Sequence, residues 1–311
     1  TVFQRTPNWL MPRPQYQQEL PPELMWLFTH VPHYNNWFRL RLFWRSHVGL
    51  LPRLEADPDW TDPEGGASIS AENYELMQLL KGYLALEFGD RPDLLDAVTP
   101  GYTMGAKRFV IDDGLWARTL KRDDVALVTT PIDHITTTGV RTADGAAHDI
   151  DVLIYGTGFK ASEFLTPMKV VGRGGVDLHD EWAGNARAYL GVVSPKFPNF
   201  FYMYGPNTNI VINGSIIYFS ECEAHYITQY IRHLLDNGLD ALDVRPEVHD
   251  AYNERIDTGN ERMAWSISDV SSWYKSASGR VAQNWPFSML EFWEQTRSID
   301  PTDYEAIGGT A

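Results

Sequence analysis

Cysteine is nearly absent from this 311-residue chain: Cys222 is the only one. That excludes an intrachain disulfide, a thiolate-rich metal site and an iron–sulfur cluster built from this chain alone, and it fits a reducing, cytoplasmic setting. Long apolar runs are missing as well. None approaches the ~18 residues of a membrane-spanning helix, and the start lacks the basic-then-apolar order of a signal peptide, so no membrane span is expected. Positive charge is scarce: 26 Lys and Arg against 41 Asp and Glu leave a net charge of −15. So acidic a chain is repelled by polyphosphate, which argues against nucleic acid as a partner. There is no G-x-S-x-G elbow, and His30 and His33 lack companions at metal-ligand spacing, so neither a serine nucleophile nor a metal is expected.

What is present points to a folded, pocket-bearing protein. With 11 Trp, 15 Tyr, 14 Phe and 43% hydrophobic residues, disorder is excluded. The length is about twice the ~150 residues of a typical domain, so two modules or one large one are expected. The chain opens on Thr1, and Val2-Phe3 already reads as strand, so it is taken to begin inside a domain, as a fragment or processed piece. Thr1–Gln4 predicts a short strand, with Arg5-Thr6-Pro7 as its exit loop.

From about 15 to 98 apolar residues recur at 3 to 4 residue spacing (Leu24, Leu27, Phe28, Val31; Trp37, Leu40, Phe43, Trp44), which predicts an inserted helical unit with a second stretch over Asn73–Phe88. Within it Asn36–Arg45 is basic and aromatic, a composition shared by membrane-surface helices and by core helices with a solvated basic edge; the pattern favours the core helix. From Val125 to Phe159 the period drops to two: Val125–Val128, Ile132–Thr137, a turn at Ala143-Asp144-Gly145, then Asp151–Tyr155, apolar on both faces like a buried parallel strand. Phe200–Tyr204 predicts another buried strand, and a helix follows over about Ser215–Asn237, closed by Gly238. An α/β core follows.

Three groups of residues can hold a nucleotide. Gly156-Thr157-Gly158 after an apolar run superficially matches a dinucleotide fingerprint, but Pro167 and Val170-Val171 leave no room for the helix such a fingerprint opens, so a glycine turn between domains is the plainer reading. Arg5-Thr6 ends the first strand, where NADP-binding units place Arg against a 2′-phosphate; a solvated loop arginine is the alternative. Lys107-Arg108 follows the glycine-containing loop Gly101–Ala106, and paired cations there can meet a phosphate and a developing oxyanion, or simply be a surface pair.

Taken in order, Thr1–Trp9, Lys107-Arg108, Asp151–Phe159, Phe197-Pro198-Asn199, Gly205–Thr208 and Ser272-Trp273-Tyr274 resemble the C-terminal half of a Baeyer-Villiger monooxygenase, most similar to the 4-hydroxyacetophenone monooxygenase group. The resemblance covers nearly the whole chain. It implies a Rossmann-like flavoprotein with two dinucleotide-binding domains and a helical insertion, here partial. Residues 1–155 would be the C-terminal part of the NADP domain and 156–311 the C-terminal part of the FAD domain with its tail. It implies FAD and NADP as cofactors, with NADPH and O2 converting an aryl or alkyl ketone to an ester. Arg5, Thr6 and Lys107 would hold the 2′-phosphate, and Arg108 would be the active-site arginine. Gly156, Thr157 and Gly158 would lie in an interdomain motif where alanine usually stands for Gly156, and Trp273 on a mobile loop over the nicotinamide. Asn213, Gly214 and Ser215 lead into a helix whose positive end can face the flavin. Both GxGxxG fingerprints are absent from the chain, so a missing N-terminal half is expected as partner. The remaining readings are an N- or S-oxidising flavin monooxygenase and a non-catalytic binding module with a truncated oxidoreductase fold.

Overall fold

A computed structural model describes residues 1–309, apart from the side chains of residues 46–48. Strand β1 (Val2–Phe3) leaves the sheet at Pro7, and β2 (Leu10–Pro12) follows. The chain then departs for nearly a hundred residues through helices α1 (Pro22–His30), α2 (Tyr34–Leu50), α3 (Ala71–Phe88) and α4 (Pro92–Val98). It returns as β3 (Val110–Asp112), which pairs in parallel with β2 from Leu10 opposite Val110 to Pro12 opposite Asp112. The helical unit is therefore an insertion between two adjacent parallel strands. Helix α5 (Leu115–Leu120) leads to β4 (Leu127–Val128), the parallel partner of β1.

Local chemistry explains these limits. Proline at the first position starts α1 and α4, where its missing N–H costs nothing, and the Ser70 hydroxyl caps α3 by accepting from the Asn73 amide at 3.2 Å. Asn73, Leu76, Met77, Leu80, Leu84 and Phe88 form the buried stripe of α3. Helices α1 and α2 correct the sequence reading. No residue of α1 is buried, and on α2 Trp37 is 69% exposed, so Asn36–Arg45 is not a core helix. The spacing was helical, but of its apolar residues Trp37, Leu40 and Trp44 face outward and only Phe43 packs against the core around α7.

Strands β5 (Ile132–Ile135), β6 (Gly139–Thr142) and β7 (Ala147–Asp149) form an antiparallel meander, its last turn at Ala143-Asp144-Gly145 as expected. The expected buried strand Asp151–Tyr155 is not one: it pairs with nothing, and Ile154 is 86% exposed. A run apolar on both faces is buried only between flanking strands and covering helices. Among the described residues no strand lies beside this one. Phe200–Tyr204 fails for the same reason, and Met203 and Tyr204 are exposed.

After the short helix α6 (Leu178–Trp182), helix α7 (Ile216–Asn237) runs to Gly238, which ends it in the left-handed region at φ 60°. Strand β8 (Ala241–Val244), helices α8 (Pro246–Asn260), α9 (Ala264–Ile267) and α10 (Met289–Thr296), and strand β9 (Tyr304–Ile307), antiparallel to β8, complete the order. Phe219, Tyr226 and Tyr230 of α7 pack with Ile256, Trp285 and Phe292 into one core. A second core joins Trp9, Leu54, Leu80 and Met104 to Val211, Met263, Trp265 and Tyr274, spanning both sides of residue 155.

Candidate active site

The loop before β3 is built to present two cations. Gly105 sits at φ 94°, and a Cβ there would lie 2.5 Å from Leu54 Cδ2, so only glycine makes this turn against the core. Asn73 on α3 donates from Nδ2 to the Met104 carbonyl at 3.2 Å and to the Arg53 carbonyl at 2.7 Å. The Trp9 indole N–H donates to the Tyr102 carbonyl at 3.1 Å, and the Tyr102 hydroxyl donates to the Pro7 carbonyl at 3.0 Å. The insertion and the exit of β1 thus fix Lys107 and Arg108 between them.

Lys107 Nζ donates to Thr6 Oγ1 at 2.9 Å and stands 5.3 Å over the Tyr102 ring. Burial, and then the charge of Arg5 beside it, hold its ammonium below the usual lysine range. Among the described residues neither Arg5 nor Lys107 has a carboxylate partner. Two unneutralised cations and a hydroxyl therefore share a cavity of about 480 Å3, lined also by Phe3, Trp116 and Gly156. The three predicted phosphate residues and Gly156 are brought together; Thr157 and Gly158 are exposed, in the unpaired segment.

Arg108 points elsewhere. It is exposed, and its Nη1 makes only a long contact, 3.5 Å, with the Ile210 carbonyl. Tyr204 and Tyr274 stand close enough to feel its charge: burial raises both phenols, and the guanidinium pulls them down again. Tyr204 adopts φ 57°, a strained backbone for a non-glycine residue. Its amide donates to Glu223 Oε2 at 2.9 Å and its hydroxyl to Asn209 Oδ1 at 2.7 Å. Glu223 lies inside α7, and burial pushes its carboxyl up to about 7, against the hydrogen bond from the Tyr204 amide, while its Oε1 is buried without a partner. These groups around Arg108 were missed from sequence. Asn207, Thr208 and Asn209 beside them are wholly buried polar residues, which the sequence alone does not reveal.

Asn213 is buried, with Oδ1 accepting from the Val211 amide at 3.3 Å and Nδ2 left without a partner. Gly214 adopts φ 156°, and a Cβ there would come within 1.8 Å of Met289 Sδ. Ser215 occupies the N-cap of α7 but makes no side-chain cap bond, and the first turn has no acidic residue, so the positive end of the helix is uncompensated. Trp273 is 36% exposed, its ring 4.5 Å from that of Tyr274. No cluster of three or more metal-ligating side chains exists among the described residues, and no helix among them is long and apolar enough to cross a membrane. A further cavity of about 570 Å3 contains Arg280, but that side chain is spoken for by Asp257 at 2.8 Å and Asn207 at 3.1 Å.

No family model matches the chain. Individual proteins do. An uncharacterised monooxygenase of Sinorhizobium fredii is 32% identical over 308 residues, covering 99% of this chain and 46% of its own length. The FAD-binding monooxygenase ktnD of Aspergillus niger is 32% identical, with 98% and 48% covered. A Baeyer-Villiger monooxygenase of Pseudomonas aeruginosa is 29% identical, with 97% and 54% covered. By sequence and by fold this chain is similar to the Baeyer-Villiger monooxygenases. The solved structure of the OTEMO complex with FAD and NADP superposes with a TM-score of 0.77 at 23% identity, over 98% of this chain and 61% of that one. Oxidised steroid monooxygenase bound to NADP gives 0.75 at 23%, over 99% and 62%. The chain spans about half the length of the Baeyer-Villiger and related monooxygenases that it matches. The fold is thus the one these two-dinucleotide-binding flavoprotein monooxygenases have over the stretch that the chain matches.

Proposed function

We propose that this chain provides the substrate-facing and NADP-phosphate-facing part of an FAD- and NADPH-dependent monooxygenase that converts a ketone and O2 to an ester and water. The observation that carries the reading is the separation of two cationic sites on one short loop. Lys107 faces the cavity of Arg5 and Thr6, whereas Arg108 faces Tyr204 and Tyr274. Two adjacent residues thus divide coenzyme recognition from oxygen-transfer chemistry.

The residues present fit both cofactors. The pair of cations without a carboxylate is relieved by a dianionic phosphate, and charge-assisted bonds of this kind contribute roughly 1.5–3 kcal/mol each. The unpartnered Asn213 Nδ2 and the free positive end of α7 suit the acceptor-rich edge of a flavin. FAD, reduced by NADPH, supplies the activation of O2. The protein's part is to bind and to stabilise charge. Arg108 offers a permanently cationic guanidinium to the ketone oxygen as it becomes negative, with Tyr204 and Tyr274 near enough to feel its charge and Trp273 beside Tyr274. The aromatic setting suits an aryl ketone, as in the 4-hydroxyacetophenone type.

In this reading residues 1–155 belong to the NADP domain and 156–311 to the FAD domain, in a reducing cytoplasmic compartment. The glycine fingerprints missing from this chain would come from a segment equivalent to the part of the relatives that it does not span. The test uses enzyme containing that segment. With an aryl ketone under 18O2, one labelled oxygen is expected in the ester, and Lys107→Ala is expected to raise the KM for NADPH much more than that for NADH. Oxidation of amines or thioethers without any ester would overturn the ketone reading; equal effects on both coenzymes would overturn the phosphate site.

A further inference from the structure

Helices α1 and α2 form a hairpin that is ordered inside and apolar outside. Phe28 joins them, its ring 5.8 Å from Tyr34 and 5.2 Å from Phe38. Phe43 against Tyr218 at 5.2 Å and the Arg39–Glu221 ion pair fasten α2 to α7. The opposite side of the hairpin is exposed: Met25 and Trp26 on α1, Trp37 and Leu40 on α2, all about half exposed or more, with Trp44 continuing the row. Trp37, Leu40 and Trp44 stand at i, i+3 and i+7, so they share one stripe. Arg41 and Arg45, both exposed, follow Trp37 at successive four-residue steps and run along the edge of that stripe.

The charge makes the occupant specific. Helix α2 carries Arg39, Arg41 and Arg45 and no acidic residue, within a chain of net charge −15. A second copy docked face to face would bring the same arginines against each other. A stripe of Trp and Leu edged by Arg is instead the pattern of a helix lying in the plane of a membrane interface, with aromatic rings at headgroup depth. The acidity of the rest of the chain does not forbid this, because charges more than ~10 Å from the surface are largely screened at ordinary salt.

We propose that the α1–α2 hairpin seats this protein on anionic lipid surfaces, with Trp26, Trp37 and Leu40 entering the headgroup boundary and Arg41 and Arg45 meeting the lipid charges. This is a peripheral contact and needs no spanning helix. It is tested by sedimenting the full chain with vesicles of phosphatidylcholine alone or mixed with phosphatidylglycerol. Binding is expected to the mixed vesicles, with a blue shift of tryptophan emission, and to weaken as salt rises. Arg41→Ala with Arg45→Ala is expected to lower the partition coefficient about 25-fold, from roughly fivefold for each basic residue near an anionic surface. Trp37→Ser with Leu40→Ser is expected to abolish the blue shift while helical circular dichroism is retained. If the apolar double variant misfolds, the arginine variant, altered only at exposed positions, decides alone. No binding to mixed vesicles, equal binding by the arginine variant, or a dimer in sedimentation velocity that Trp37→Ser dissolves would each overturn the proposal.

Discussion

Arg108 holds an exposed charge in the candidate site, and its effect should be confined to one step. Removing one preorganised donor from a developing oxyanion costs roughly 2.7–4 kcal/mol. In enzyme that carries the fingerprints, Arg108→Ala is expected to keep consuming NADPH while ester formation falls about 100- to 1000-fold, and Arg108→Lys to rescue little, since a point charge does not reproduce the planar fork. Stopped-flow flavin reduction set against product yield measures the split; ester at the parental rate would return Arg108 to a surface charge. Glu223 makes a different, pH-dependent statement. Its carboxyl is raised from 4.5 to about 7 by burial, so the folded state holds a proton that the unfolded state releases between those values. Stability is therefore greatest below pH 4.5 as far as this group is concerned, and is lost as pH rises towards 7, by roughly 3 kcal/mol in all. Urea unfolding at pH 5 and pH 8 should show Glu223→Gln gaining on the parent only at the higher pH; parallel curves would show that Glu223 is not held protonated. Lys107, Arg5 and Arg108 were legible in sequence as basic residues in an acidic chain. Glu223 and Tyr204 were not, since only the fold reveals burial and a strained φ.

Elements were legible where their pattern was self-contained. Helix α7 was readable to within one residue because its stripe, its Ser215 start and its Gly238 stop all lie within it. The short parallel pair β1 and β4 was readable at Thr1–Gln4 and Val125–Val128, but the two expected buried strands were not there, because a buried strand is defined by neighbours, and Asp151–Tyr155 and Phe200–Tyr204 have none beside them here. Helix α2 shows the same limit: periodicity gives a face but not what the face meets. The junction into α7 is where backbone and core constrain each other most. At φ 156° any side chain on residue 214 is strained, and its Cβ would displace the buried Met289. Gly214→Ala is expected to destabilise the chain by about 2–4 kcal/mol, read as a lowered urea midpoint at unchanged m-value. A change below about 0.5 kcal/mol would mean that Met289 swings aside freely.

The whole molecule is held by cores that ignore the boundary expected at residue 155. Trp9, Leu80 and Met104 come from one side, and Val211, Trp265 and Tyr274 from the other, into a single apolar cluster. Main-chain and charge contacts reinforce it: the Ala56 amide donates to the Arg262 carbonyl at 2.8 Å, and Arg262 pairs with Glu55 at 3.0 Å. By contrast the connection between the halves is weakly protected. It has no regular structure from Asp151 to Lys160, and Tyr155 and Phe159 are 67% and 94% exposed. Brief treatment with chymotrypsin is therefore expected to cut first after Tyr155 or Phe159. The two pieces should nonetheless travel together, because parting them returns to water side chains worth about 1.5–3 kcal/mol each. One peak in size-exclusion chromatography that shows two bands on a denaturing gel, and that resolves into two peaks only in urea, is the expected result. If the pieces separate without denaturant, the shared core contributes little and the halves are independent domains. If chymotrypsin cuts first within α3 or α7, the exposed segment is shielded in solution by something that packs on Ile154 and Phe159.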